Sequence, residues 1–220
     1  MEPVFDHLVI GAATLDAGGQ WATRILSRDI PYGGAHPAMG THNRVAALSD
    51  ESFLEIIAVD PEAEAPGRAR WFGLDDPAQQ TRLTAGPKPI SWVVATDDLD
   101  ATLKQAKVAG VDLGRAVTVS RGSLSWRIAV RDDGALLEGG TVPLVIEWPS
   151  GPHPAARMPD VGVRLAGLTA HHPEPNRLLS LLTAIGADSL IHVAASGAGT
   201  AWLSADLNLP SGGTVCLSGR

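Results

Sequence analysis

One glutamate stands in the middle of an apolar segment, where its charge needs a partner. Glu55 interrupts the run Phe53–Val59, whose other members are all hydrophobic. A carboxylate buried in such a segment is costly unless it pairs with a base or binds a metal ion. Side chains alternate along a strand, so Glu55 shares one face with Phe53, Ile57 and Val59. Glu55 is therefore predicted to act either as a general base or ligand in a cleft, or as half of a buried ion pair.

Two basic side chains precede Glu55 at hairpin spacing. With Asp50-Glu51 as a two-residue turn, His42 and Arg44 share the face of Glu55. His42 then lies roughly 13 Å along the strand from the position opposite Glu55, at ~3.3 Å per residue, too far for a shared metal ion. We predict that His42 and Arg44 bind substrate, with Arg44 either anchoring an anion or pairing with Glu55.

Other motifs with catalytic residue types are weaker. His171-His172-Pro173 has no cysteine or carboxylate pair beside it, so we predict an exposed loop rather than a metal site. The glycine pairs Gly33-Gly34 and Gly139-Gly140 are not followed by the Lys-Ser/Thr of a phosphate-binding loop. The sequence also lacks the Gly-x-Ser-x-Gly motif of a nucleophile elbow. No nucleotide cofactor is therefore expected.

Composition narrows the class of protein that carries these groups. Of 220 residues, 45% are hydrophobic and 19% charged, which predicts a packed core rather than disorder. The net charge of −7 does not favour a nucleic-acid partner, and no apolar stretch is as long as a membrane span. The acidic opening Glu2–Asp6 does not resemble a signal peptide, and the lone Cys216 excludes an internal disulfide. We expect a soluble, cytoplasmic protein that acts on a small molecule and has neither a nucleic-acid nor a membrane partner.

An internal repeat indicates how the elements are arranged. The segment Phe5–Ala17 aligns without a gap with Pro89–Ala101, and both end in Leu-Asp-Ala. In each copy an apolar, β-rich run precedes Thr14 or Asp98, residue types that cap a following helix. A third, weaker copy starts near Arg164.

The repeat predicts a strand, a helix and then two or three strands in each unit. The predicted helices cover residues 15–27, 99–109 and 175–185. The predicted strands after them cover 41–48, 52–59, 116–120, 124–130, 142–148, 190–195, 201–207 and 214–218. The fold class is α+β, with residues 1–155 holding two βαβββ modules (about 4–60 and 88–150) and residues 160–220 a third, degenerate βαββ(β) module. The segment 60–89, rich in Pro, Ala and Gly, is predicted to be a linker.

These modules resemble a known superfamily. The tandem βαβββ pattern, with the opening Asp6–Ile10, is similar to the vicinal oxygen chelate superfamily, which includes glyoxalase I, bleomycin-resistance proteins and extradiol dioxygenases. Gly40–Asn43, Phe53–Ile57, Pro143–Trp148 and His153-Pro154 are similar to its bacterial "glyoxalase-like domain" subgroup. The resemblance implies a curved mixed sheet around a cleft, with metal ligands on the first and last strands of each module. A homodimer is compatible with it.

The resemblance implies an incomplete set of metal ligands. His7, Glu55 and Glu147 match three of the four ligand positions, and Ser91 stands where a second histidine is usual. One imidazole and two carboxylates suit a divalent ion such as Mn, Fe, Ni or Zn with open positions for water. The alternative is that His7 is a buried, hydrogen-bonded histidine and Glu55 pairs with a base. Ser91 is better suited to bind substrate than metal.

The tryptophans divide between core and cleft. If Ser91 faces the cleft, Trp92 points away into the core, and Trp21 on the first helix is also predicted to be core. Trp126 and Trp148 lie on strands whose register the sequence leaves open. Facing inward, Trp126 would stack on a flat substrate, although packing in the core is an alternative.

Two functions follow from these residues. The first is a glyoxalase-like enzyme, of lyase, isomerase or hydrolase type, with a divalent metal bound by His7, Glu55 and Glu147, or with Glu55 or Glu147 as general base. The second is a metal-free protein that binds a small molecule, like the drug-sequestering members of the superfamily. A third alternative is that the cleft has no function and that the chain serves as an assembly module.

Overall fold

Two units of strand, helix and three strands are joined into one sheet. The computed structural model describes residues 2–122, 124–197 and 199–220. The first unit comprises β1 (Val4–Gly11), α1 (Leu15–Leu26), β2 (Tyr32–His36), β3 (Thr41–Ser49) and β4 (Ser52–Val59). After α2 (Pro77–Thr84), the second unit comprises β5 (Lys88–Ala95), α3 (Leu99–Val108), β6 (Arg115–Arg121), β7 (Leu124–Val130) and β8 (Leu144–Glu147).

The two units meet symmetrically in an eight-stranded mixed sheet. Its strand order is β2-β3-β4-β1-β5-β8-β7-β6. β1 and β5 pair antiparallel at the centre, and each pairs in parallel with the last strand of its own unit. The sheet curves until its two edge strands, β2 and β6, come into contact. The predicted curved sheet around a cleft is therefore confirmed.

The repeated helix starts form as predicted. The Thr14 hydroxyl accepts a hydrogen bond from the Ala17 N–H at 3.1 Å, and the Asp98 carboxylate accepts one from the Ala101 N–H at 2.9 Å. These side chains satisfy backbone donors that have no partner within the helix. The predicted helices and strands all form, with ends that shift by a few residues. β2 was not predicted from the sequence, and α2 lies in the segment predicted to be a linker.

The sheet has an apolar core on each face. Leu8, Ile10, Trp92 and Val94 face the core beneath the helices, whereas the alternating residues of the same strands face the concave side, together with residues of the second unit and of the segment before α2. Trp21 and Trp92 are both buried in the helix-side core, as predicted. The concave side is where a cleft must lie.

The third unit repeats the order of elements but not their pairing. It comprises β9 (Arg164–His172), α4 (Pro175–Ala184), β10 (His192–Ala195), β11 (Trp202–Asn208) and β12 (Thr214–Ser218). These strands form a separate sheet of order β10-β9-β11-β12, so β9 pairs in parallel with the strand directly after its helix rather than with the last one. Its buried face joins the helix-side core. The third unit thus packs against a face of the large sheet and does not extend it.

The two adjacent histidines of the third unit are not in a loop. β9 continues through His172, which is buried and pairs with Glu138 at 2.9 Å. His171 stacks on Trp202 with ring centroids 3.7 Å apart. The predicted exposed loop is therefore wrong, because β9 continues past its last apolar residue and includes both histidines. Among the described helices, none is long and apolar enough to cross a membrane.

Candidate functional site

The hairpin that carries Glu55 has the predicted turn but a different register. Ser49 pairs with Ser52 around Asp50-Glu51, and the register then shifts between Ala47 and Ser49. This β-bulge adds one residue to β3. An extra residue moves every side chain beyond it to the opposite face of the sheet. Val45 therefore lies opposite Glu55.

The bulge exchanges the neighbours of Glu55. Asn43 now shares its face, whereas His42 and Arg44 lie on the other face, so the prediction that these two share the face of Glu55 is wrong. The Arg44 guanidinium donates to the Ile30 carbonyl at 2.9 Å and lies 3.6 Å from Asp29. His42 lies 3.8 Å from Asp60. The structure thus gives their predicted substrate-binding roles no support.

A second irregularity places two side chains of β1 together. The pairing of β1 with β5 shifts between Phe5 and His7, which leaves Asp6 at a bulge. The Asp6 carboxylate is fully buried and accepts a hydrogen bond from His7 Nδ1. Asp6 Oδ2 also accepts from Trp148 Nε1 at 2.6 Å and from His153 Nε2 at 2.9 Å. Three donors therefore hold one carboxylate behind the His7 ring.

His7 connects this carboxylate to Glu55. His7 Nε2 lies 3.6 Å from Glu55 Oε2, and both side chains are almost completely buried. The His7 ring stacks on Phe53, with centroids 4.3 Å apart. The prediction left Glu55 a choice between a metal and a basic partner, and the base beside it is His7, not Arg44.

Asn43 extends the network on the far side of Glu55. Asn43 Nδ2 donates to Glu55 Oε1 at 2.6 Å and lies 3.5 Å from His36 Nε2. His36 Nδ1 contacts the Thr41 hydroxyl at 3.2 Å, which in turn accepts from Trp71 Nε1 at 3.2 Å. A buried chain of polar groups thus crosses the floor of the concave face.

The network fixes opposite charges on His7 and Glu55. Burial alone would lower the pKa of His7, but the hydrogen bond to Asp6 and the negative charges of Asp6 and Glu55 outweigh it and raise that pKa to about 9. Burial would raise the pKa of Glu55, yet His7 and Asn43 hold it below its ordinary value. Burial lowers the pKa of His36 to about 4. At neutral pH the site therefore holds an imidazolium, a carboxylate and a neutral imidazole.

These groups form the floor of an aromatic pocket. The cavity is small, with a volume of about 30 Å³. Its walls are mainly aromatic and aliphatic: Phe53, Trp71, Phe72, Trp126, Ile128, Ile146, Trp148 and Met158. His7, Glu55, Asn43 and His36 lie among them, and Arg121 provides a further charge. The pocket is therefore a narrow slot lined mainly by aromatic rings.

The structure brings some predicted site residues to this pocket. Trp126 faces the slot beside Trp148, with ring centroids 5.4 Å apart. Ser91 lies on the same face of the sheet, opposite Val9, but it is fully buried outside the pocket and its hydroxyl donates to the Trp92 carbonyl at 3.3 Å.

Glu147 is not part of the pocket. Its neighbour Ile146 faces the slot, so Glu147 points to the other side of β8. There its Oε2 accepts from the Leu99 N–H at 3.1 Å, at the start of α3, and from Arg127 at 3.0 Å. This is the position of an acidic residue that stabilises a helix N-terminus. The structure does not bring Glu147 together with His7 and Glu55.

Sequence reasoning missed several groups of the site. Asp6, Asn43 and His36 depend on the two bulges and on β2, none of which has a clear sequence signal. Trp71 comes from the segment predicted to be a linker, where its neighbour Phe72 and the apolar Leu74 are the available signal. Arg121 is the last residue of β6, the edge strand that contacts β2.

The donors do not fit the metal site that the resemblance implies. Val9 pairs with Glu55 in the first unit, and its repeat equivalent Val93 pairs with Leu144 in the second. The symmetric positions of the second unit are thus Ser91 and Leu144, a hydroxyl and a hydrocarbon. His7 and Glu55 are therefore two candidate donors without the two that the resemblance requires from the second unit. In the described part of the chain, no three His, Cys, Asp or Glu side chains are placed to hold one ion.

Comparison with known proteins identifies the family. The family model described as "Glyoxalase-like domain" matches residues 5–186. The chain belongs to this glyoxalase-like family. The predicted resemblance is therefore confirmed, and the match extends beyond residue 155 into the third unit. No curated protein sequence matches the chain significantly.

Solved structures share the fold of this glyoxalase-like protein. A hypothetical protein from Staphylococcus aureus is 15% identical with a TM-score of 0.58, over 96% of this chain and 82% of that one. A mutant of 4-hydroxymandelate synthase from Streptomyces coelicolor is 16% identical with a TM-score of 0.55; the match covers 99% of this chain but 63% of the synthase. A variant of methylmalonyl-CoA epimerase from the same organism is 17% identical over 70% of this chain and all of the epimerase, and its TM-score of 0.44 is too low to support a shared fold. The fold is that of the vicinal oxygen chelate superfamily.

Proposed function

We propose that this glyoxalase-like protein is a small-molecule enzyme of isomerase or lyase type that transfers protons without a metal ion. The observation that supports it is the pair His7 and Glu55, oppositely charged and side by side at the floor of an aromatic pocket. Buried acid–base pairs with shifted pKa values are characteristic of catalytic sites. The reaction we infer is removal of a proton from a carbon next to a carbonyl group.

Each group of the network has a place in this reaction. Glu55, a carboxylate, takes the proton from carbon, and the electron pair left behind moves to the carbonyl oxygen. The His7 N–H donates to that oxygen and stabilises its developing charge. The 3.6 Å between His7 Nε2 and Glu55 Oε2 exceeds a normal hydrogen bond, so both groups can turn to a substrate. Return of the proton to carbon completes an isomerisation.

Asp6 acts as a positioning residue. Because its Oδ1 accepts from His7 Nδ1, the opposite nitrogen of the ring points to Glu55. A carboxylate behind a histidine sets its orientation and favours the charged ring. Trp148 and His153 saturate the other oxygen of Asp6, which keeps this carboxylate from taking the proton itself.

The proposal differs from the metal-dependent form predicted from the sequence. Glu147 faces away from the pocket, and Ser91 and Leu144 occupy the symmetric ligand positions. We therefore keep Glu55 as the catalytic carboxylate and His7 as its acid partner, and do not assign Glu147 a catalytic or metal-binding role. Trp126 is kept as a wall that stacks on a flat substrate.

Hydrogen–deuterium exchange tests this reaction. In D₂O, the protein should catalyse the exchange of the methyl protons of small aryl methyl ketones, such as acetophenone, for deuterium. The loss of the methyl signal is followed by ¹H NMR. Glu55→Gln should slow the exchange by about 100-fold or more, the contribution of a general base. Adding Mn, Zn or EDTA should leave the wild-type rate unchanged. Glu55→Gln also removes one of the two carboxylates beside His7 and should lower stability, so the assay belongs well below the melting temperature of the variant.

Exchange that requires an added metal would overturn the metal-free mechanism. Exchange that survives Glu55→Gln would remove Glu55 as the base. Glu51→Gln, at the exposed hairpin turn, is the matched control and should change neither rate nor stability.

A binding protein without catalysis is the second candidate. The observation that favours it is that each oxygen of Glu55 already has a protein partner, Asn43 or His7, so that the network is complete without a substrate. In that case planar ligands bind the pocket while no ketone exchanges its protons. Tight binding of a ligand without any exchange would favour this function over the enzyme.

A further inference from the structure

Arg121 crosses the seam between the two units of the large sheet. It ends β6, and its guanidinium reaches Asn43 on β3, where Nη1 donates to Oδ1 at 3.3 Å. Its side chain lies over Gly34 of β2, where a Cβ would come within 2.6 Å of Arg121 Cδ. Gly34 therefore provides the space that lets the arginine lie across the seam. The side chain is half-buried and lines the aromatic pocket.

The charge of Arg121 has no counterpart in the described part of the chain. No Asp or Glu described in residues 2–122, 124–197 and 199–220 lies within 4.0 Å of it, whereas Arg70, Arg127 and Arg131 each pair with a carboxylate. A guanidinium carries five N–H donors. One of them is used on Asn43, which leaves donors for a ligand.

The other charged groups of the pocket lie beside partners within the protein, and together they carry one net negative charge, two carboxylates against one imidazolium. His7 stands between Asp6 and Glu55, and Asn43 donates to Glu55. His36, buried between Asn43 and Thr41, is part of the same chain of hydrogen bonds. Arg121 is the cation of the pocket that still has N–H donors to offer a ligand. The side-chain amide of Asn43 lies between Arg121 and Glu55, since it accepts from the guanidinium and donates to the carboxylate.

The walls limit the shape of that ion. Trp71, Trp126 and Trp148 line the narrow pocket, and their aromatic faces suit a planar ligand. An arginine fork matches the two oxygens of a carboxylate. We propose that Arg121 binds the carboxylate of a small planar substrate and directs its reacting carbon toward Glu55. The part that concerns the reacting carbon rests on the proposed function, whereas the part that concerns binding does not.

Benzoate and benzamide are probes that differ in charge but hardly in shape. Their affinities are measured by isothermal titration and by the fluorescence of the pocket tryptophans. Wild-type protein should bind benzoate about tenfold or more tightly than benzamide. Arg121→Gln should weaken benzoate about 10- to 100-fold, the effect of a charge-assisted hydrogen bond, and leave benzamide unchanged. Arg24→Gln, an equal loss of charge on the exposed face of α1, should change neither.

Three results would overturn the proposal. Equal affinity of wild type for both probes, or no binding of either, would show that the pocket does not select a planar carboxylate. Equal weakening of both probes by Arg121→Gln would show that the arginine acts by packing. Unchanged benzamide binding shows that the variant is folded, and Arg121→Lys, which keeps the charge without the fork, should retain part of the preference.

The two proposals fail separately. Preference for benzoate without any proton exchange would reject the enzyme and keep Arg121 as the anion-binding group. Exchange of aryl ketone protons without a preference for carboxylates would keep the enzyme and reject the role of Arg121.

Discussion

At the scale of single residues, the buried charge of Glu55 governs the site. The sequence alone indicates that a carboxylate among apolar neighbours needs a partner, and the side chain is 5% exposed. The partner was not predictable, because His7 is distant in sequence and Arg44, at hairpin spacing, was the nearer candidate. Pairing with a histidine rather than an arginine matters chemically, since an imidazole exchanges protons near neutral pH and a guanidinium does not.

The charge of His7 makes stability depend on pH. Its pKa is about 9 in the folded protein against about 6.5 in an unfolded chain. A raised pKa stabilises the fold fully below pH 6.5, and this contribution is lost as the pH rises to about 9. The free energy of unfolding should therefore fall by about 3 kcal/mol over that interval.

Histidine NMR and urea unfolding between pH 6 and 9.5 check this. One imidazole should titrate near pH 9. His192→Gln, which removes an exposed imidazole, should leave the pH dependence as it is. If all seven histidines titrate below pH 7.5, the imidazolium of His7 is not held by its two carboxylates.

At the scale of secondary-structure elements, the repeated strands and helices were predictable from the sequence, whereas the β-bulges were not. Hydrophobic runs, cap residues and the repeated Leu-Asp-Ala located the strands and helices of both units. The two β-bulges, at Asp6 and near Leu48, were out of reach because a bulge depends on pairing with a distant strand rather than on local residue type. The bulges explain the wrong face of His42 and Arg44 and the missed Asp6 and Asn43, whereas the errors at Glu147 and Trp71 do not depend on them.

The edge strand β2 requires glycine for packing. A Cβ at Gly33 would overlap Asn43 Oδ1 and crowd Val45, whereas Gly67 has open space around it. Gly33→Ala should displace Asn43 from Glu55 and reduce stability by about 1–3 kcal/mol. Gly67→Ala should stay within about 0.5 kcal/mol of wild type.

Urea unfolding of both alanine variants measures this difference. Benzoate affinity then reports on the pocket, and it should fall for Gly33→Ala alone. Equal stability of the two variants would show that Asn43 is free to move away and that β2 does not fix its position.

At the scale of the whole molecule, one face of the large sheet forms the pocket and the other forms the main core. The concave face holds the pocket, closed by the segment that carries Trp71 and by the seam between β2 and β6. The opposite face is covered by helices and by the third unit. The sequence could not predict this division, because nothing in the order of elements says whether a third unit extends a sheet or packs on it.

The third unit should therefore support stability without touching the ligand. Leu203 on β11 is 1% exposed and packs in the helix-side core with Leu8 and Trp92. Leu203→Ala should cost about 2–5 kcal/mol, or about 2–4 °C of melting temperature for each kcal/mol in a chain of this size. Asp206→Ala, at an exposed position of the same strand, is the control and should melt near wild type.

Thermal melts and benzoate titrations on the same samples separate stability from binding. Well below its melting temperature, Leu203→Ala should bind benzoate with wild-type affinity, because the leucine and the pocket lie on opposite faces of the sheet. Loss of affinity in the folded variant would mean that packing on the back of the sheet is transmitted through β1 and β5 to His7. The third unit would then belong to the site, and the separation of the two faces would be wrong.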